Sequence, residues 1–125
     1  MKNYIITAIA LFLFGCSIGL MDHLQFHYHK GQFKNEQFWN PQISWKNKYK
    51  DGNPDLGPAY FGSTTFLAWT TDGWHMIKTI GFSILQLLIA FLLMRKQKWY
   101  YTVLAFIIIK LVFVSGFHLV YTIIF

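Results

Sequence analysis

Apolar residues fall along this chain in three long runs, about residues 4–21, 74–94 and 99–125, separated by one long and one short polar interruption. Each run is close to the roughly 20 residues that a helix needs to cross a ~30 Å hydrocarbon core. With their polar flanks, the spans are expected over about residues 4–29, 72–94 and 99–125, in a single membrane domain covering 1–125. The expected fold is an all-α membrane protein: three transmembrane helices with an aromatic-rich extramembrane loop, about residues 31–64, between helices 1 and 2.

The loop is too long and too aromatic to be an idle connection. A structureless stretch of this length is uncommon in a compact domain unless it is functional or disordered, and its Trp, Phe and Tyr content argues against disorder. It is expected to fold at the membrane surface as a lid, with turns at Asn40-Pro41 and across 51–54. Trp39, Trp45, Lys46 and Lys48 are its candidate headgroup-binding residues. Gly62-Ser63-Thr64-Thr65 has the form of a helix start, with 66–71 forming either a short interfacial helix or the first turns of span 2. Asp72 is placed to cap the second span. The four-residue basic turn 95–98 makes spans 2 and 3 antiparallel neighbours.

Composition supports a bilayer setting. Hydrophobic residues make up 54% of the chain and charged residues only 13%, far from the soluble average. The net charge is +6, and ten of the eleven basic residues are lysines, most of them near the spans, which membrane-surface electrostatics explains. No recognition helix, stacking sheet or arginine-rich arm remains to read nucleic acid. Cys16 is the single cysteine, so no intramolecular disulfide can form. Leu13-Phe14-Gly15-Cys16 has the outline of a lipoprotein signal, but Phe14 is bulky where such signals carry a small residue. A retained first span is expected, with the N-terminus cytoplasmic and the loop and C-terminus extracytoplasmic.

Polar residues inside the apolar runs supply the candidate chemistry. Gly15-xxx-Gly19 has the spacing that lets two helix backbones approach in lipid, and the same series continues to His23 and His27. Counted from the opposite face, His23, His75 and His118 each lie nineteen residues along their span. Three alternating helices thus bring one histidine each to a common level, roughly 28 Å deep at 1.5 Å per residue. His23, His27, His75 and His118 are the candidate ligands of a transition metal, zinc, iron or manganese, with Asp22 and Asp72 as general base or further ligands. The run His23-xxx-His27-x-His29 resembles the first histidine box of membrane desaturases and hydroxylases. That family also needs a His-x-x-His-His box, which is absent, and five histidines are too few for its di-iron site.

Lys110 falls half-way along span 3, level with Ser83 and Cys16 and with no acid of this chain at its depth. An ionisable group there is expensive and marks a functional position. Three functions follow as expectations. The first is an accessory or assembly subunit of a membrane complex, meeting a second copy or a partner through Gly15, Gly19 and Lys110. The second is a metal-dependent enzyme acting on a lipid or polyprenyl headgroup. The third is an ion or proton path through Lys110 and the histidines.

Overall fold

The computed structural model describes residues 2–123, and the described chain is helical with one isolated β-bridge, Tyr49 to Pro58. Three of its helices are long and apolar enough to cross a membrane: α1 (Lys2–Phe26), α4 (Gly73–Met94) and α5 (Trp99–Ile123). This is consistent with an integral membrane protein. Two four-residue helices, α2 (Glu36–Trp39) and α3 (Pro41–Ser44), lie between α1 and α4, followed by a series of short 3-10 turns. The chain divides into two compact units, one formed by Leu13–Gly81 and the other by the described residues before and after it.

The Leu13–Gly81 unit has its core where the end of α1 meets the start of α4. Leu24, Tyr28 and Ile77 are buried together, with Met21, Phe33, Trp39 and Trp74 packed around them. On α1 the inward stripe is Ser17, Met21 and Leu24, at the i, i+4, i+7 spacing of one helical face. On α4 it is Gly73, Ile77 and Gly81, all buried and one turn apart. The helices approach closely at Ser17 and Gly81, where a Cβ on Gly81 would lie 2.6 Å from the Ser17 Cβ.

The small-residue contact is therefore Ser17–Gly81. Among the described residues, nothing beyond the glycines' own neighbours and helix backbone lies within 4 Å of where a Cβ would project from Gly15 or Gly19. Those two glycines are two residues away from Ser17 on either side, about 200° around a helix turning ~100° per residue. Because α1 is apolar on all sides, its pattern does not single out a packing face.

The α1 helix also ends earlier than the sequence indicates. It stops at Phe26, and a 3-10 turn over Tyr28–Lys30 follows with His27 at its cap in a non-helical conformation. The Tyr28 hydroxyl donates to the Phe33 carbonyl at 2.9 Å, which bends the chain back over the core. Burial, and to a lesser degree the Glu36 carboxylate, push the Tyr28 phenol above its ordinary pKa, so it keeps the proton it donates.

Beyond it the segment is tied by side chains. Asn40 accepts from the Gln42 N–H and starts α3, and Asn53 caps the turn Pro54–Leu56 in the same way. A reversal sits at Asp51 and Gly52, both with positive φ. Lys50 N–H donates to Gly57 and Ala59 N–H to Lys48, closing a small two-sided ribbon. The stretch 60–67 is turns and Ala68–Thr70 a 3-10 turn. Ser63 starts no helix there. Its fully buried hydroxyl donates to the Lys48 carbonyl at 2.7 Å.

In the other unit α4 and α5 run antiparallel from the basic turn 95–98, where Gln97 N–H donates to the Met94 carbonyl at 2.8 Å. The Phe82 and Phe113 rings meet tilted at 5.3 Å between centroids, Phe82 adjoining the Ser83 that accepts from Lys110. None of the described α5 residues is buried, as suits a helix bathed in lipid. Gln86 on α4 is buried with its Oε1 unmatched by any described donor, an arrangement that costs about 1–3 kcal/mol.

Gly81→Ala is expected to destabilise the protein by about 1–3 kcal/mol, the usual cost of overpacking, in denaturant titration of the detergent-solubilised chain. Gly15→Ala and Gly19→Ala should each stay within about 0.5 kcal/mol of the parent, as open surface positions do.

Candidate functional site

Among the described residues, the one close pairing of an acid with a basic side chain is built where α4 begins. Residue 72 precedes the first helical turn, whose N–H groups have no partner inside the helix. Asp72 fills that need: its Oδ1 accepts the His75 backbone N–H at 2.9 Å. Its Oδ2 accepts from the Thr71 hydroxyl at 3.2 Å and meets His75 Nδ1 at 2.8 Å. A carboxylate only accepts, so Nδ1 carries the proton of that bond and Nε2 keeps its lone pair in the neutral ring.

Around this pair the site is half enclosed. Asp72 is 2% exposed while the His75 side chain is 29% exposed, so the carboxylate is sealed in and the imidazole opens outward. Trp74 stands edge-on to the His75 ring at 5.1 Å, and Lys78 lies over the Trp74 indole at 5.1 Å. Behind the carboxylate the Trp39 indole lies so close to Gly73 that any Cβ there would overlap it. An imidazole aimed by a buried acid, with one basic nitrogen presented, is equipped to accept or deliver a proton. It can also serve as one metal ligand with its second nitrogen anchored.

The remaining expected ligands are not gathered around it. Among the described residues no group of three or more His, Cys, Asp or Glu side chains comes together to hold a metal ion. His23 lies beside Gly31, with the His27 and Phe33 rings 6.4 and 6.5 Å away. His27 has left the α1 helix, so the i, i+4 ligand pair of one helical face is lost. Asp22 is exposed on α1. His118 is exposed on α5, edge-on to Phe117, and its carbonyl accepts from the Thr122 hydroxyl.

Of the lid residues, Trp39 turns inward, stacking near Phe33 at 4.7 Å against the core. Trp45 and Lys46 are exposed, the ammonium 5.6 Å from the indole centroid. Lys48 is half-buried, its ammonium over the Tyr49 ring and its carbonyl accepting from Ala59 and Ser63. Lys110 donates to the Ser83 hydroxyl at 2.7 Å and lies over the Phe106 ring at 5.5 Å.

Asn47 has a role that its place in a Lys-Asn-Lys run conceals. Its amide donates to the Gln37 carbonyl at 2.7 Å and to the Thr71 carbonyl at 2.9 Å, and its Oδ1 accepts from the Gln37 amide at 2.6 Å. It thus links α2 to the residue before Asp72. Only the order of the fold distinguishes this Asn from a solvated one.

Compared with known proteins, the chain matches no family model, no curated protein and no solved structure.

Asp72→Ala is expected to cost about 1–2 kcal/mol through loss of the helix cap, measured by thermal unfolding in detergent. Asp72→Asn, which can keep the acceptor for the His75 N–H, should cost less. In imidazole nitrogen NMR the parent should carry the His75 proton on Nδ1, and both variants should move toward the Nε2–H form.

Proposed function

We propose that this protein is an accessory or assembly subunit of a membrane complex, joined to its partner at Lys110. The observation that carries this reading is the company the ammonium keeps. It sits about 16 Å along α5 from Trp99 at 1.5 Å per residue, near mid-span, with a neutral hydroxyl and a phenyl face as its neighbours. These solvate the charge without balancing it, and a lysine at the bilayer centre costs roughly 2.5–3.5 kcal/mol on insertion scales.

The missing carboxylate comes from a different chain. All five acids of this sequence lie at residues 22–72, towards the loop, so a second copy aligned in the same sense has none at the level of Lys110. A partner helix with an Asp or Glu at mid-span supplies it. Gly15 and Gly19, with open space above them, offer a second notch for close helix approach. Exposed Trp45, Phe61, Phe66 and Trp69 suit a loop lying at headgroup level, on the extracytoplasmic side if the first span inserts as a signal anchor.

The test is affinity purification from mild detergent after cross-linking in the membrane. The parent should bring down a stoichiometric membrane protein with an acidic mid-span residue, and Lys110→Arg should retain it. Lys110→Met should lower recovery at least ~30-fold, since breaking a buried charge pair costs about 2–5 kcal/mol. A parent that purifies alone, or a Lys110→Met variant that keeps its partner, removes the proposal.

The Asp72–His75 pair supports a second reading, a membrane-surface enzyme acting on a lipid or polyprenyl headgroup with His75 as general base. Lys46 and Lys48 would then attract the anionic headgroup. Phosphate release from lipid-linked substrates in mixed micelles should fall about 10²–10⁴-fold in His75→Gln, the usual worth of a general base, and be unchanged in Lys110→Met. Absence of turnover by the parent leaves the pair a helix cap.

A further inference from the structure

We infer that the end of the molecule bearing the basic turn 95–98 holds the phosphate of an anionic membrane lipid, in a cleft between the first turns of α1 and the last turn of α4. The cleft is open, measures about 380 Å³ and is lined by Asn3, Tyr4, Thr7, Leu92 and Arg95. Its volume falls within the roughly 300–1,000 Å³ range of small-ligand sites.

The lining has two chemistries in the order a lipid requires. Arg95, at the end of the apolar helix, supplies a planar guanidinium that can grip two phosphate oxygens at once. Asn3 and Tyr4, which share the lining, carry side-chain donors of their own. The Thr7 hydroxyl proton is already given to the Asn3 carbonyl at 2.7 Å, so this floor residue is not a competing donor. Leu92, one turn before Arg95, continues the lining as apolar surface against which an acyl chain can lie.

Charge selects the headgroup. Lys2, Arg95, Lys96 and Lys98 cluster at this end in sequence, and residues 1–21 and 73–125 contain no Asp or Glu at all. Nothing in these stretches neutralises the four cations. The orphan N–H groups of α1 and the orphan carbonyls of α4 meet here with opposite sign, so the helix ends roughly cancel and the side chains decide. Basic pockets between transmembrane helices are places where phosphate headgroups bind. A free phosphate would use the same polar groups but leave the Leu92 surface bare.

The full-length protein in mild detergent, supplied with equal phosphatidylglycerol and phosphatidylcholine, is examined by native mass spectrometry for retained lipid. Phosphatidylglycerol should be retained in preference, and Arg95→Gln should lower its retention about fivefold, the worth of one basic side chain at a membrane surface. Arg95→Lys should restore part of it. Lys96→Gln, outside the lining, should change it less than twofold, and circular dichroism should show the same helix content throughout. Equal retention of the two lipids overturns the inference. So does an Arg95→Gln loss no larger than that of Lys96→Gln, which would make the effect a property of the basic surface. Displacement of the lipid by excess inorganic phosphate would assign the cleft to the free ion and overturn the lipid as its occupant.

Discussion

Asp72 is almost fully withdrawn from solvent, yet its two oxygens meet the His75 N–H, the His75 ring and the Thr71 hydroxyl. A buried carboxylate tolerates that position only when its acceptor sites are used. This fixes where α4 starts, and the start fixes the face that α4 presents. From Gly73, steps of four residues reach Ile77 and Gly81, which meet Trp39, the Leu24 core and Ser17 in turn. Moving the cap by one residue would rotate that face by about 100° and take both glycines out of their contacts. The outward half of His75 is a by-product of the same bond, since the ring is held by the nitrogen nearest the cap.

Long apolar segments were the most legible part of the chain, because crossing a bilayer demands both length and apolarity. All three expected spans are helices of suitable length and composition, and the antiparallel pairing of α4 and α5 followed from a connection too short for any other arrangement. The level of Lys110 was legible too: counting residues placed Ser83 opposite it, and those two side chains are hydrogen-bonded. Packing faces were not legible. A helix apolar on all sides carries no phase, so Gly15 and Gly19 were no better marked than Ser17, which makes the contact.

The expected His23–His27 ligand pair depended on α1 staying helical through the polar end of its span, to about residue 29. It ends at Phe26 instead, where Tyr28 is drawn onto Leu24 and Ile77. Burying that phenol ring and satisfying its hydroxyl outweigh the continuation of a helix that has left its apolar run. Within Leu13–Gly81 the consequence is a core of Tyr28, Phe33, Trp39 and Trp74 where a ligand cluster was expected. Asp72 retains both its capping role and a histidine, but a histidine three residues along its own helix. Such local pairs are invisible to arguments about which spans meet, although the Asp-x-x-His spacing itself permits them.

Asn47 carries a consequence for how the segment between α1 and α4 opens. One amide holds carbonyls from Gln37 and Thr71, twenty-four residues from itself in the second case. The Lys48 carbonyl beside it receives Ala59 and Ser63. Three strips of chain, at Gln37, Ala59–Ser63 and Thr71, therefore converge on two adjacent residues. Shared anchors of this kind couple the segments they hold, so this region is expected to open more cooperatively than an ordinary loop.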